Sequence, residues 1–247
     1  MLSDAQGKRD LSLKKKDFQI FEFLIYRGFR LLLLPLGKEL SVKVAVRLHW
    51  IFRHLAIAVS SNNYGNDFLN SRSAIIQGKF IELYAKEGNI IVDLACGAGR
   101  YWPTISQIKG VAYLGIDAST LHISSNQRNF PGAQFKLGNV LNSSEIPRCE
   151  IIIASHIIEH LDDPKTFLMQ LKSLCNLLII EVPDFYSDPI NIVSFNLRAP
   201  WWSDSDHRRE YSTLSLESIL LESGYTILNL KQAGGTIAVV ASPFFEI

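Results

Sequence analysis

Apolar positions follow two different periods along this chain. Between residues 18 and 59 they return every three or four positions, as on one face of a helix. Leu40, Val44, Leu48, Ile51, Leu55 and Val59 mark that stripe, and Lys43, Arg47, Arg53 and His54 fall largely elsewhere. The pattern predicts helices over 18–34 and 38–59, broken at Pro35–Gly37, where proline cannot donate a backbone hydrogen bond. A polar connector is expected over 60–64 and a further helix over 71–86. From Asn89 the texture changes. Short apolar stretches at 90–94, 112–117, 134–137, 150–154 and 177–182 predict strands. Between them come helical stretches over 101–109, from Ser119 to about 128, and from the Asp163–Pro164 cap to near Cys175. A helix over 213–223 precedes strands at 226–230 and 236–241, joined across Ala233-Gly234-Gly235.

Continuous apolar strands alternating with helices imply a mostly parallel sheet covered on both faces. The last two strands, joined by a tight glycine turn, are expected to pair antiparallel. The expected class is therefore α/β, a doubly wound seven-stranded sheet with an antiparallel last strand and an N-terminal helical extension. The division falls at residue 60, with 1–60 the extension and 61–247 the main domain.

Charge sharpens that division. The 247 residues carry a net charge of only +1, yet residues 1–60 hold 11 Lys/Arg against 5 Asp/Glu. A basic arm precedes an acidic body. Two readings fit the arm: a helical cap with solvated basic faces, or an amphipathic surface over 18–59 that touches anionic membrane from the cytoplasmic side. The uncharged run 31–37 is too short to span a bilayer, and no cleavable signal peptide is visible. The acidic body argues against nucleic acid. Cys96, Cys149 and Cys175 lie far apart, so neither a zinc pattern nor a disulfide framework is expected. A reducing, cytoplasmic setting fits.

The strongest local signal is Asp93-Leu94-Ala95-Cys96-Gly97-Ala98-Gly99, a buried strand entering a small-residue turn. Glycines there let a ligand approach the backbone. Asp117 ends the next strand, 20 positions after Gly97. It reads as an acceptor for ribose hydroxyls or as a helix N-cap. Asn139 reads as an adenine-side polar group or a turn residue. Ser155 and His156 follow the fourth strand, ahead of Ile157-Ile158-Glu159-His160-Leu161-Asp162-Asp163-Pro164. Glu181 and Asp184 close the fifth strand. Residues 196–211 then combine Trp201, Trp202, Asp206, His207 and Glu210, a composition that fits a lid over the strand ends or a loop whose indoles seal the core.

Over residues 89–241 these features resemble the class I methyltransferases that use S-adenosylmethionine. The resemblance implies that cofactor is held by Asp93, Ala95, Cys96, Gly97, Gly99 and Arg100, by Asp117 and Ala118, by Asn139 and Val140, and by Ser155. Ala95 stands where the family motif has its first glycine. The Glu-His-Leu-x-Asp-Pro run resembles enzymes acting on small metabolites and sugars. It implies a small-molecule or glycan acceptor methylated at oxygen, in surface-polysaccharide or secondary-metabolite biosynthesis. Some relatives hold a divalent metal with Glu-x-x-Glu-His. This chain has His156 at the first place, and no metal is expected. Trp201, Trp202, Asp206, Glu181 and Asp184 are the candidate acceptor contacts.

Methyl transfer to a hydroxyl needs a proton acceptor, and His156, His207 and His160 are the candidates. A dinucleotide oxidoreductase is the alternative enzyme, since a Gly-x-Gly turn followed by an acid also fits it. Its fingerprint wants glycine where Trp102 stands. A non-catalytic membrane-associated adaptor is the other alternative; Gly97 and Gly99 argue against it by keeping the turn open.

Overall fold

The computed structural model describes residues 23–64, 76–197 and 206–244. The chain divides into two compact units, 1–58 and 59–247.

In the first unit, helix α1 (residues 23–33) ends in a 3-10 turn, Leu34–Leu36, and α2 spans Gly37–Tyr64. The break falls at the predicted place. Pro35 lies in the turn, and Gly37 has a φ of 73°, open to glycine at little steric cost. The polar connector expected at 60–64 is helical instead. Ser and Asn are only slightly poorer helix formers than Ala, so a helix already nucleated extends through them. No helix among the described residues is long and apolar enough to cross a membrane.

The second unit contains a seven-stranded sheet. Its strands are β1 (Ile90–Leu94), β2 (Ala112–Asp117), β3 (Gln134–Leu137), β4 (Cys149–Ser155), β5 (Cys175–Pro183), β6 (Tyr225–Ala233) and β7 (Thr236–Pro243). They are ordered β3-β2-β1-β4-β5-β7-β6. Strands β1 to β5 pair in parallel, and β7 runs antiparallel to both β5 and β6. This is the Rossmann-like architecture expected. Gly234 and Gly235, with φ of 66° and 86°, form the two-residue turn between β6 and β7. Two successive left-handed residues make a type I′ turn, whose twist matches that of the flanking strands. Composition decides which strand lies inside. Ile237, Ala238, Val239, Val240 and Ala241 are all buried and fill the place beside β5. Strand β6 carries Lys231 and Gln232 and takes the edge.

The helices of this unit are α3 (residues 76–84), α4 (Trp102–Ile105), α5 (Thr120–Asn129), α6 (Pro164–Leu171), α7 (Pro189–Asn196) and α8 (Thr213–Glu222). Helix α4 is shorter than the predicted 101–109. Ser106 Oγ donates back to the Pro103 carbonyl at 3.0 Å, a local bond that competes with the helical ladder. Helix α6 stops at Leu171, because Cys175 is already paired with Cys149 in the sheet. Sequence reasoning missed α7, although its start repeats the Asp-Pro signature: the Asp188 side chain accepts from Ile190 N and Pro189 is the first helical residue. Side-chain alternation along the central strands divides the core. Ile152, Ala154, Ile180 and Val182 face one layer, and Ile151, Ile153 and Ile179 face the other.

Strand order reverses between β1 and β4. The loops leaving their carboxyl ends diverge there, which opens the crevice where ligands of α/β sheets bind.

Candidate active site

The loop after β1 is tied to β2 by Cys96 N, which donates to the Ile116 carbonyl at 3.1 Å. Its backbone turns through left-handed conformations at Ala95 (φ 50°), Gly97 (51°) and Gly99 (71°). Ala95 accepts a conformation that alanine seldom adopts. The two glycines serve different ends. A Cβ at Gly99 would meet the Phe130 and Phe135 rings at 3.1 and 3.3 Å, so that position is closed by packing. A Cβ at Gly97 would meet nothing within 4 Å. Gly97 therefore leaves its space clear at the head of the crevice.

Asp117 holds this turn. Its Oδ2 accepts from Gly97 N at 2.8 Å and its Oδ1 accepts from Ser119 N at 2.8 Å. The helix cap is Ser119, whose side chain accepts from His122 N. The N-cap reading of Asp117 is thereby set aside. Each carboxylate oxygen keeps a lone pair for a further donor. Asn126, buried on α5, donates through Nδ2 to the Gly97 carbonyl at 2.7 Å. Below the turn, Asp93 is buried and accepts from the Tyr113 hydroxyl at 2.8 Å. Burial pushes its carboxyl up to about 7, against the pull of the Tyr113 hydrogen bond. Cys96 is buried, and burial raises its thiol far above the ordinary range, so it is no nucleophile at neutral pH. Arg100 stands over the Tyr101 ring at 5.3 Å, and Ala118 is exposed beside Asp117.

Asn139 acts as a turn residue. Its Oδ1 accepts from Leu141 N and its own N–H donates to Glu145 Oε2, both at 3.0 Å. Val140 beside it packs partly buried against the core.

The carboxyl ends of β4 and β5 carry a second cluster. Tyr101 Oη lies 3.0 Å from Ser155 Oγ and 3.1 Å from Glu181 Oε2, and Ser155 Oγ donates to the same carboxylate at 3.2 Å. Glu181 is fully buried, and its Oε1 has no hydrogen-bond partner. His156 follows in a left-handed conformation, φ 54°, with its N–H on the Glu181 carbonyl. Its Nδ1 lies 3.1 Å from Glu159 Oε1 and its Nε2 3.9 Å from Glu181 Oε1. About a third of its side chain is exposed. Asp184 is buried and forms an isolated parallel bridge with Tyr211, and its carboxylate accepts from Gln232 Nε2.

His207 stands with His160 rather than free above the sheet. Its Nδ1 pairs with Glu210 Oε1 at 3.1 Å, and its ring meets that of His160 edge-on at 4.7 Å between centroids. Asp206 pairs with His160 Nδ1 at 3.2 Å. His207 is 8% exposed, whereas the His156 and His160 side chains are each about a third exposed. Trp201 and Trp202 lie outside the described residues. Sequence reasoning missed Tyr101, Tyr113 and Asn126. Asn126 alone left a trace, as an amide on a helix otherwise rich in polar surface residues; the two tyrosines gave none.

A family model described as a methyltransferase domain matches residues 72–230. The chain belongs to the S-adenosylmethionine-dependent methyltransferases. Solved methyltransferases share its fold. The magnesium protoporphyrin IX methyltransferase of Synechocystis PCC 6803, solved with S-adenosylhomocysteine, is 12% identical, with a TM-score of 0.59 over 71% of this chain and 84% of that one. An S-adenosylmethionine-dependent methyltransferase of Clostridium acetobutylicum is 12% identical, with a TM-score of 0.54 over 79% and 100%. A TehB-like enzyme of Corynebacterium glutamicum is 16% identical, with a TM-score of 0.51 over 75% and 99%. Comparison with curated protein sequences gives no match.

This methyltransferase has residues that fit its cofactor. The clear space at Gly97 admits a ligand against the backbone, and Asp117 beside it offers a carboxylate to hydroxyl donors.

Proposed function

We propose that the enzyme methylates an oxygen of a small-molecule or sugar acceptor, with His156 as general base. The imidazole at the end of β4 carries this reading. Glu159 at Nδ1 favours the Nδ1–H tautomer and leaves Nε2 to accept a proton. Glu181 Oε1 lies 3.9 Å from Nε2, on the side where that proton would arrive. Glu159 and Glu181 are both fully buried, so they keep the ring oriented as they act.

In this account Asp93, Ala95, Cys96, Gly97, Gly99, Arg100, Asp117, Ala118, Asn139, Val140 and Ser155 surround the cofactor. When bound, the cofactor supplies an electrophilic methyl group on a sulfonium, and positioning accounts for most of the remaining rate. The chain's own part is to orient the acceptor hydroxyl, take its proton at His156 Nε2 and exclude water. Trp201, Trp202 and Asp206 are the acceptor-binding residues in this reading, since indole faces and carboxylates suit the hydroxyls of glycans or secondary metabolites.

We also read 61–247 as the catalytic domain and 1–60 as an extension that rests on the anionic cytoplasmic face of a membrane. Phe23, Leu24, Leu32, Ile51, Phe52 and Leu55 are exposed on α1 and α2, which also carry Arg27, Arg30, Lys38, Lys43, Arg47 and Arg53. Exposed apolar side chains interleaved with cations fit an interfacial helix.

The acceptor reading is tested with isotopically labelled methyl donor against a panel of sugar nucleotides and hydroxylated metabolites. His156→Ala is expected to lower turnover about 10²–10⁴-fold on the accepted substrate, the usual worth of a general base, with cofactor affinity unchanged. Full turnover in that variant would leave positioning as the sole mechanism. Collapse of cofactor affinity would move His156 into the cofactor site.

A further inference from the structure

We propose that Gln77 holds the amino-acid end of the cofactor, the zwitterion at its methionine terminus. Gln77 lies in the first turn of α3 and is fully buried, yet neither its Nε2 nor its Oε1 has a hydrogen-bond partner. Burying a primary amide with both ends unpaired is costly, and most buried polar side-chain atoms in proteins are paired. A ligand that brings an acceptor and a donor together removes that cost. At neutral pH an α-amino acid carries a carboxylate and an ammonium, so one amide can donate to the first and accept from the second.

The fold puts Gln77 at the edge of the sheet where the crevice opens. Helix α3 leads into β1 through residues 85–89, and that connection lies at the amino edge. Gly88 N donates to the Gly110 carbonyl at 3.0 Å, and Ala112 N, where β2 begins, donates to the Asn89 carbonyl at 2.9 Å. The helix therefore begins toward the carboxyl edge. A Cβ at Gly78 would stand 3.6 Å from Thr104 Oγ1 of α4, the helix that follows the cofactor turn. Gln77 precedes Phe80 and Ile81 by three and four positions, so it shares their face. Those two are buried in the layer that contains Tyr101, Ile151, Ile153 and Ile179. Strand alternation carries that layer to Ser155 and Glu181, which meet the Tyr101 hydroxyl at the carboxyl edge. Helical side chains lean toward the start of their helix, so Gln77 extends toward the same edge.

Two opposed effects follow from the missing partners. Leucine at this position has a similar volume and no polar atoms, so it relieves the ligand-free fold of an unpaired amide. The same change deprives the bound cofactor of hydrogen bonds to both of its charged groups. Stability gained at the expense of binding marks a residue kept for its ligand. The proposal rests on the cofactor lying at the head of the crevice, which Gly97→Val tests separately.

The full chain is titrated by calorimetry with S-adenosylhomocysteine and with methylthioadenosine, which keeps the nucleoside and the sulfur but lacks the amino-acid end. Gln77→Leu should bind S-adenosylhomocysteine about tenfold or more weakly, with affinity for methylthioadenosine unchanged. The unfolding midpoint of the ligand-free variant should rise by about 2–4 °C. Gln77→Met, unbranched like glutamine, should repeat these results and serves if the branched side chain does not fit. Undiminished affinity for S-adenosylhomocysteine overturns the proposal and is what a buried water on the amide would give. Equal losses for the two ligands overturn it as well. So does a lowered midpoint in both variants, which would mean that the amide is bonded within the protein. No binding of either ligand to the unmodified chain would overturn the cofactor site itself, and this role of Gln77 with it.

Discussion

The carboxylate of Asp117 closes the turn that contains Gly97, accepting its N–H at 2.8 Å across 20 residues of chain. One side chain thus ties the end of β2 to the loop after β1, and each of its carboxylate oxygens keeps a lone pair for a further donor. Replacing it has two consequences that can be separated. Asp117→Asn keeps an acceptor for the backbone but loses charge. Asp117→Ala loses both. Hydrogen bonds to charged groups are worth about 1.5–3 kcal/mol each. Cofactor affinity is therefore expected to drop tenfold or more in Asp117→Ala and by less in Asp117→Asn. Calorimetry checks the order, and a change under twofold in the alanine variant contradicts it.

Asp93 makes the stability of the ligand-free protein depend on pH. Its folded carboxyl titrates near 7 because it is buried, well above the ordinary 3.8. Between those values the folded state holds a proton that the unfolded chain has released. Stability from this group is therefore fully present below about 4, declines as pH rises, and levels off above about 7. Asp93→Asn, neutral at every pH, should flatten that decline. Urea unfolding of both proteins from pH 5 to 8 tests it; parallel curves would mean that Asp93 stays ionised in the fold.

The hydroxyl of Tyr101 supplies a donor to the buried cluster of Ser155 and Glu181. Tyr101→Phe keeps the ring and removes that donor, leaving a buried carboxylate with less to hold it. A loss of about 1–3 kcal/mol in unfolding free energy is expected. A loss below about 0.5 kcal/mol would show that solvent replaces the bond.

Membrane contact through α1 and α2 predicts salt-sensitive attachment. The full chain should co-sediment with vesicles rich in phosphatidylserine at low salt and release partly at high salt, since each basic residue near the surface adds about 1 kcal/mol. Charge reversal at Arg47 and Arg53 should weaken attachment to anionic vesicles. Equal binding to neutral vesicles, or none at low salt, contradicts this reading.

Much of the fold was legible because the strands here are short apolar stretches set between helical ones. Those predicted at 90–94, 112–117 and 134–137 coincide with β1, β2 and β3. The glycine turn, Asp117 and the antiparallel end of the sheet were legible for the same local reason. Helix ends were not. Ser106 ended α4 early through its own side chain, and the 60–64 segment stayed helical despite its polarity. Side-chain partnerships across the sheet were the least visible. Nothing near Tyr101 in the chain announces Glu181, 80 residues away, and nothing near His160 announces His207. Such pairs arise only when strand order sets loop beside loop. For the same reason His207 looked like a free base in the chain and is a partner of Glu210 and His160 in the fold.

The central claim is that S-adenosylmethionine binds against the open backbone at Gly97. A Cβ there would project into clear space rather than into protein. Gly97→Val therefore places a branched side chain where the ligand approaches, on a backbone already at a φ of 51°. The deciding measurement is a calorimetric titration of the full chain and this variant with S-adenosylmethionine, with thermal unfolding to confirm that both are folded. One equivalent should bind the unmodified protein, and affinity should fall at least tenfold in the folded variant. Undiminished affinity in Gly97→Val would contradict the account.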